Sequence, residues 1–238
     1  EIVDGGAEEA GVDTIGAGRA LTELEHETEN AMDTGFSSNL VVHAFALTAR
    51  ETSFGAELTA PFFESMRMDL SAKQHDQASF ERYVYGSAEV VGLMCLRAFV
   101  LGEKVDDLPR LETGARALGA AFQKVNFLRD LAADFETLGR SYFPNVNVET
   151  FTEEEKVRLL DDIDADLAVS AAVLPDLPAS SRRAVALAQS LFAELSRRLR
   201  KTPADQLVRS RVRVPNPVKV RLALAASAGS LPRSKGRS

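Results

Sequence analysis

The apolar residues of this chain recur at spacings of three and four positions over almost its whole length, and few segments alternate with a period of two. Such spacing places apolar side chains on one face of a helix, so the pattern predicts an all-α fold. Capping and stop residues divide the pattern into separate helices. The predicted helices run from a cap at Ser37 or Ser38 to Arg50, from a cap at Ser79 to Leu101, from Leu111 to Leu138, from the Thr152-x-x-Glu155 capping box towards Asp166, and from Ser180 or Ser181 to a stop before Pro203.

A single domain is expected over residues 1–238. The chain is 45% hydrophobic and 26% charged, a composition that can fill one sizeable core. No internal repeat or low-complexity linker marks a boundary, and the clearest loop runs from Tyr142 to Asn147 around Pro144.

The longest apolar run, from Val90 to Leu101, is too short to cross a bilayer and contains Arg97. The only cysteine, Cys95, lies within this run, and we expect a small buried thiol there. A single cysteine excludes an internal disulfide and suits a reducing compartment, so the expected location is the cytoplasm.

Charge is distributed unevenly, with an acidic stretch over residues 1–35 and a basic stretch from Arg182 onward. Nucleic acid is not an expected partner, because the basic stretch has almost no aromatic side chains to stack on bases. Anionic lipid is the better match, since cations flank the apolar segment Val218 to Ala226. These cations, through which we expect peripheral membrane contact, are Arg211, Arg213, Lys219 and Arg221.

A polar stripe crosses the predicted helix that ends at Leu138. Gln123, Asn126, Asp130 and Asp134 stand at offsets of 0, 3, 7 and 11 and therefore share one face of a helix that is otherwise largely apolar. Two carboxylates on a buried face repel each other unless a cation or a water-filled cavity lies beside them. Oxygen ligands without histidine or cysteine favour Mg²⁺ or Mn²⁺, which would hold a diphosphate.

Two arginines near the stripe, Arg129 and Arg140, are suited to bind phosphate oxygens. The alternative is that Asp130 and Asp134 lie on an exposed face and pair with Arg129 or Lys124. An isolated Asp-x-x-x-Asp pattern does not decide between these interpretations.

The wider segment resembles the second signature of the squalene/phytoene synthase family. It reads Leu118-Gly119-x-x-x-Gln123-x-x-Asn126-Phe127-x-Arg129-Asp130-Leu131-x-x-Asp134, followed by Arg140-x-Tyr142-x-Pro144. Upstream, Tyr83-x-x-x-Ser87-Ala88-Glu89-Val90-Val91-Gly92-Leu93 is similar to the first signature, except that Glu89 stands where the pattern has a small residue. The stretch Met66-Arg67-Met68-Asp69-Leu70 also looks like the family's sequence before that helix.

This resemblance implies an isoprenoid synthase-type helical bundle around a central cavity, with two aspartate motifs facing each other across its mouth. Glu1-Ile2-Val3-Asp4 looks like the end of the first motif, with Asp4 as its second carboxylate. On that interpretation the preceding helices of the domain lie before Glu1.

The resemblance also implies roles for individual residues. Asp4, Asn126, Asp130 and Asp134 would hold Mg²⁺, and Arg129 and Arg140 would bind diphosphate oxygens. Tyr83 would lie near the reacting carbons, with Gln123 and Tyr142 as supporting contacts, while Ser87 and Val91 would line the prenyl channel.

The implied reaction is the head-to-head condensation of two prenyl diphosphates. Phytoene from two geranylgeranyl diphosphates is the first expectation, and NADPH is not expected because no dinucleotide fingerprint appears. Dehydrosqualene or squalene formation from farnesyl diphosphate, and a non-catalytic scaffold relative, remain alternatives. A terpene cyclase shares the fold but should lack the pattern from Gln123 to Pro144, and the oligomeric state stays open.

Overall fold

The computed structural model describes residues 13–71, 74–138 and 142–229, and over 132–138 it describes the backbone alone. Within these ranges the regular secondary structure is helical and contains no β-strand, which confirms the all-α prediction. The helices are α1 (Thr14–Thr34), α2 (Leu40–Thr52), α3 (Ala56–Ser71), α4 (Gln77–Val84), α5 (Val90–Phe99), α6 (Leu108–Leu138), α7 (Glu153–Val173), α8 (Ala179–Lys201), α9 (Ala204–Leu207) and α10 (Asn216–Ser227). A π-helical turn, Tyr85–Glu89, joins α4 to α5, and short 3-10 turns lie at Val148–Thr150 and Leu174–Asp176.

The capping box at Thr152 forms as predicted and begins α7. The Thr152 hydroxyl accepts the amide of Glu155 at 3.2 Å, and the Glu155 carboxylate accepts the amide of Thr152 at 2.9 Å. The helix continues to Val173 rather than ending near Asp166, because Leu167 and Val173 are still buried against its neighbours.

The predicted cap of α2 is wrong. Asn39 caps this helix instead of Ser37 or Ser38, because its side-chain oxygen accepts the amide of Val41 at 3.1 Å. The Ser37 hydroxyl donates to Glu27 at 2.6 Å and so ties the loop back to α1.

The predicted caps of α4 and α8 are also displaced. Asp76 caps α4, because its carboxylate accepts the amide of Ser79 at 2.7 Å. Ser79 itself therefore lies inside the helix. α8 begins directly after Pro178, whose fixed backbone angle suits a helix start, rather than at Ser180 or Ser181.

The ends of the longer helices agree better with the prediction. α6 begins at Leu108 rather than Leu111 and reaches Leu138 as expected. α8 ends at Lys201, before Pro203, as the proline predicts.

The predicted helix from Ser79 to Leu101 is interrupted by the π turn Tyr85–Glu89. The turn lies where α3 approaches very closely. A Cβ atom at Gly86 would stand 2.1 Å from the carbonyl oxygen of Pro61, so only glycine permits this approach. π turns widen a helix locally and often occur near functional sites.

Two further glycines fix how α5 and α6 meet. A Cβ atom at Gly92 would lie 2.4 Å from the carbonyl oxygen of Ala115, and one at Gly119 would lie 2.4 Å from that of Ala88. Ala88 therefore faces Gly119, and Gly92 faces Ala115. Because the numbers rise along one segment and fall along the other, the two segments run antiparallel. One cavity of the bundle then lies on the side of α7 and α8, and another lies between α1, α2, α3 and α5.

The largest buried cluster joins α4, α6, α7 and α8 around Val125, Leu128, Leu160 and Ile163. This core holds α6 in the middle of the bundle and therefore fixes the helix that carries the polar stripe. No helix within the described ranges combines the length and apolar character needed to cross a membrane. The organisation of 1–238 as one domain stays a prediction.

Candidate active site

An apolar cavity of about 450 Å³ lies between the π turn, α5, α6, α7 and α8. Its wall includes Val91, Leu96, Phe99, Leu118 and Phe122. Such a lining can hold a hydrocarbon chain but offers little to a polar ligand.

Both residues expected to line a prenyl channel, Ser87 and Val91, lie on the wall of this cavity. The Ser87 hydroxyl is buried and has no hydrogen-bond partner within the described residues. Ala88 and Gly92 serve two purposes, because they line the cavity and also allow the close approach of α6. Whether Ser87 and Val91 bind a substrate stays a prediction.

Glu89, the residue that departs from the family pattern, is not part of the cavity wall. Its carboxylate accepts a hydrogen bond from Nε of Arg116 at 2.7 Å. The Arg116 guanidinium also lies over the ring of Tyr85, at 5.3 Å from the centroid. An ion pair on the outside of the π turn therefore accommodates the larger residue, and the cavity keeps its small lining.

The expectation of a buried thiol at Cys95 is wrong. The side chain is exposed, because it faces the open space of the apolar cavity rather than packed atoms. Its apolar surroundings still raise the pKa of the thiol, since they disfavour the thiolate.

The polar stripe continues from the cavity along one face of α6. Phe122 closes the cavity, and the partly buried amides of Gln123 and Asn126 follow within one turn. Neither amide forms a hydrogen bond with the described part of the chain. The carboxylate of Asp130 lies one turn beyond Asn126, and its side chain is 20% exposed.

Three predicted site residues fall outside what the structure describes. Asp4 and Arg140 lie outside the described residues, and so does the side chain of Asp134. The backbone of α6 continues through position 134, so this residue stands one turn beyond Asp130.

Asp130 is held by two arginines from different parts of the chain. Nε of Arg129 donates to it at 3.0 Å, and Nε of Arg211 lies 2.7 Å from the same oxygen. The alternative interpretation, in which Asp130 pairs with Arg129, is therefore correct about the pair but wrong about an exposed face. Lys124 does not contribute, because its ammonium binds Asp162 and Asp166 on α7 at 2.6 and 2.8 Å.

A second cavity, of about 640 Å³, lies beside Asp130 and is lined by several cations. These are Arg129 from α6, Arg211 and Arg213 from the segment that leads into α10, and Lys219 from α10 itself. Such a concentration of positive charge attracts a polyanion, and arginine binds phosphate oxygens with paired donors. We refer to this cavity as the basic pocket.

Sequence reasoning missed the basic pocket, because it interpreted Arg211, Arg213 and Lys219 as a membrane-facing set. Their place in the site depends on a contact between Arg211 and Asp130, which are 81 positions apart. No local motif marks such a contact. The only available signal was the density of cations shortly before Pro215.

Tyr83 lies near the end of α4 and packs against α6 at Phe127, the residue after Asn126. Its ring is buried beside that of Phe127, with 5.8 Å between the centroids. The Tyr83 hydroxyl donates to the carboxylate of Asp69, at 2.8 Å from the nearer oxygen. Burial and then the charge of Asp69 raise the pKa of Tyr83 well above its usual value, so the side chain stays a neutral phenol.

Tyr142 joins the same group from the loop after α6. Its hydroxyl donates to Asp69 at 3.2 Å, and its ring stacks on that of Phe127 at 4.0 Å. Sequence reasoning noted the stretch that contains Asp69 only as a resemblance and gave the residue no role. The structure therefore brings Tyr83 and Tyr142 together against Phe127 of α6. Gln123, Asn126, Arg129 and Asp130 lie on the same helix, after the last α6 residue that lines the apolar cavity.

The side-chain oxygens at this site are of the type that binds a hard divalent cation. Asp130 and Asn126 offer oxygen ligands from neighbouring turns of one helix face, which suits Mg²⁺ rather than a softer metal. The residues that the structure describes contain no group of three or more histidine, cysteine, aspartate or glutamate side chains able to hold a metal. A bound diphosphate would have to supply further oxygen ligands.

Comparison with known protein structures places the fold. A dehydrosqualene synthase solved in complex with a ligand superposes with a TM-score of 0.77 at 20% identity, over 95% of this chain and 82% of that one. The squalene synthase HpnC from Alicyclobacillus acidocaldarius gives a TM-score of 0.67 at 20% identity, over 78% of this chain and 74% of that one. These likenesses confirm the expected isoprenoid synthase-type helical bundle.

Comparison with curated sequences finds two relatives. The phytoene synthase of Pseudescherichia vulneris is 28% identical over 207 residues, which cover 79% of this chain and 62% of that protein. The bifunctional lycopene cyclase/phytoene synthase of Blakeslea trispora is 36% identical over 69 residues, or 29% of this chain and 11% of that protein. The chain thus spans less than two thirds of the length of either relative.

A family model described as squalene/phytoene synthase matches residues 1–217, which is most of the chain. The match includes α1 to α9 and both cavities except the part lined by Lys219. On this evidence, together with the two signatures, the chain belongs to the squalene/phytoene synthase family.

Proposed function

We propose that this chain belongs to a prenyltransferase that condenses two geranylgeranyl diphosphates head to head into phytoene. The observation that carries the proposal is the order of environments along α6. The apolar cavity ends at Phe122, the oxygen donors Asn126 and Asp130 follow, and the basic pocket begins at Arg129. A prenyl diphosphate has the same order, from an apolar tail to a doubly charged head.

Asp130 and Asn126 would hold Mg²⁺, with Mn²⁺ as the substitute, and Asp134 and Asp4 would complete the ligand set by family resemblance. The metal supplies Lewis acidity that stabilises the departing diphosphate. Within the described residues, Arg129 and Arg211 now neutralise Asp130. They can turn towards phosphate oxygens once a cation takes over that carboxylate.

The basic pocket would receive the diphosphate. Arg129, Arg211, Arg213 and Lys219 line it, and Arg140 joins them by resemblance. Gln123 and Tyr142 would be supporting contacts by family resemblance. Paired guanidinium donors fix the orientation of the head group and leave the prenyl chain to enter the apolar cavity.

The reaction would proceed in two halves. The carbon–oxygen bond of one donor breaks with loss of diphosphate, and the double bond of the second substrate attacks the allylic cation. Loss of a proton closes a cyclopropylcarbinyl diphosphate, which ionises in turn, rearranges and loses a proton to give the hydrocarbon. The apolar walls exclude water, which would otherwise trap each cation as an alcohol.

The test is product analysis of the whole protein with Mg²⁺ and either farnesyl or geranylgeranyl diphosphate, with and without NADPH. Phytoene from the twenty-carbon donor, independent of NADPH, is the expected result. Dehydrosqualene or squalene from the fifteen-carbon donor would replace the product assignment. Absence of any condensation would favour the scaffold relative and overturn the proposal.

A peripheral membrane contact through α10 would fit a hydrocarbon product. Val220 and Leu224 stand one turn apart and are 59% and 67% exposed, with the exposed Arg221 beside them. Exposed apolar side chains beside a cation suit an anionic lipid surface. Vesicle flotation tests this, because Leu224→Ser should weaken binding to anionic vesicles, and equal binding by both proteins would contradict it.

A further inference from the structure

A carboxylate is buried near the carboxyl end of α3. Asp69 is 5% exposed and stands two residues before the last residue of the helix, Ser71. The carbonyl groups at this end of a helix disfavour negative charge, and burial removes the water that would compensate. A position so unfavourable for an aspartate requires specific contacts that hold it there.

The contacts of Asp69 bring two tyrosines together. Both carboxylate oxygens accept from the hydroxyl of Tyr83, at 3.0 and 2.8 Å, and one accepts from Tyr142 at 3.2 Å. Tyr83 belongs to α4, and Tyr142 belongs to the loop after α6. One carboxylate therefore fixes two hydroxyls from separate elements.

The tyrosine rings cannot easily turn away from Asp69. Tyr142 lies between the rings of Phe127 and His75, at centroid distances of 4.0 and 5.9 Å. Tyr83 lies beside the same two rings, at 5.8 Å from Phe127 and 5.2 Å from His75. The aromatic packing sets the planes of the rings, and the carboxylate sets the direction of each O–H bond.

We propose that Asp69 is a positioning residue for the prenyltransferase reaction, which it serves by holding the hydroxyl protons of Tyr83 and Tyr142. This inference rests on the function proposed above. A tyrosine oxygen has one proton and two lone pairs, so a proton fixed on Asp69 leaves the lone pairs directed away from it. Donation to a carboxylate also increases the electron density on the phenol oxygen, which stabilises a nearby carbocation while the tyrosine stays neutral.

A purely structural role makes different predictions. In that case Asp69 would tie α3 to α4 and to the loop after α6, and its loss would lower stability and every kinetic constant together. A positioning role acts only through the two hydroxyls, so its loss should lower kcat and leave KM nearly unchanged. The same loss should disappear once both hydroxyls are absent.

The experiment is a mutant cycle in the whole protein with Asp69→Asn and the double variant Tyr83→Phe/Tyr142→Phe. Asp69→Asn should lower kcat by roughly 10- to 100-fold, as small misplacements in active sites do, with KM nearly constant. When Asp69→Asn is added to the double tyrosine variant, kcat should fall no further. Asp164→Asn is the matched control, because Asp164 also accepts a hydroxyl, that of Ser196 at 2.6 Å, but lies on α7 away from the site.

Two kinetic results would overturn the proposal. One is an Asp69→Asn enzyme as active as the wild type, and the other is a loss that adds in full to that of the tyrosine variants. A second measurement needs no activity: in ¹³C NMR of labelled tyrosine, the Tyr83 ring should titrate far above the usual tyrosine pKa of about 10 and move down in Asp69→Asn. Tyr83→Phe identifies the signal, and ordinary titration of Tyr83 in the wild type overturns the proposal even if Asp69→Asn does not fold. A wild type that forms no prenyl product would refute the proposed function, whereas the titration would still report on Asp69.

Discussion

The two halves of α6 provide opposite environments on one continuous helix. Its first half, around Gly114 and Gly119, meets neighbouring helices so closely that no side chain fits, and it faces the apolar cavity. Its second half, at Asn126 and Asp130, carries an amide that bonds to none of the described residues and a carboxylate held by arginines. The difference shows how one element can bind both ends of an amphipathic substrate, because position along the helix selects apolar or charged contacts.

The largest expected effect comes from the charged half. Asp130→Asn should lower product formation by about 1,000-fold, comparable to the loss of a principal electrostatic group, because it removes a proposed metal ligand. Circular dichroism should show an unchanged helical fold. Asp162→Asn is the control, since that carboxylate is exposed on α7 and pairs with Lys124. Wild-type turnover by Asp130→Asn would exclude the metal assignment.

A smaller effect is expected in the basic pocket. Arg211→Gln should weaken binding of inorganic diphosphate by roughly 10- to 100-fold, since a charged hydrogen bond is worth about 1.5–3 kcal/mol. Isothermal titration with Mg²⁺ present measures this directly. Arg209→Gln provides the comparison, because Arg209 is exposed and does not line the pocket. Equal affinity in both variants would mean that the diphosphate lies elsewhere.

In the apolar half we expect an effect on the length of the prenyl chain that is accepted. Cys95 lies eight residues beyond Ser87, or about 12 Å along the helix, and so deeper in the cavity. Cys95→Phe should lower kcat/KM for the twenty-carbon donor by roughly tenfold more than for the fifteen-carbon donor, because a clash in a packed cavity costs about 1–3 kcal/mol. Ser87→Phe, nearer the tyrosines, should reduce both.

The control for chain length is Ala98→Phe, on the same helix but exposed and outside the cavity. It should leave the ratio of the two specificity constants unchanged. If Cys95→Phe lowers kcat/KM equally for both donors, the longer prenyl chain does not end in this cavity.

The smallest effect is expected outside both halves. Glu89→Gln weakens a partly exposed ion pair with Arg116, so the free energy of unfolding should fall by less than about 1 kcal/mol. Thermal unfolding measures the change, and the products should stay the same because Glu89 does not line the cavity. A change in product length would show that the π turn transmits strain into the channel.

Local patterns in the sequence were sufficient for the helices and for the stripe on α6. Periodicity identified the helical class, and the reciprocal bonds of Thr152 and Glu155 follow from a four-residue pattern. The predicted cap positions of α2 and α4 were wrong, because Asn39 and Asp76 compete with nearby serines for the same amides. The sequence did not predict the π turn, because this turn depends on the approach of α3 to Gly86.

The parts of the site that the sequence did not reveal depend on distant contacts. Arg211 reaches Asp130 across 81 positions, and Tyr142 reaches Asp69 across 73. Cation density near the C-terminal end suggested a membrane surface, whereas packing places three of those cations around the basic pocket. Chemistry of this kind depends on the tertiary fold, which no spacing within one helix encodes.

The most direct test of the division of α6 into two environments is thermal unfolding of the whole protein with Mg²⁺ and inorganic diphosphate. On the proposed function, both ligands would contact only the charged half. Together they should raise the melting temperature, since a ligand at 100 times its dissociation constant adds about 2.7 kcal/mol to the free energy of unfolding. Each alone should have a smaller effect, and Asp130→Asn should abolish the joint effect while Asp162→Asn retains it. A melting temperature that neither ligand changes would contradict the account, and so would an equal rise in the wild type and in Asp130→Asn.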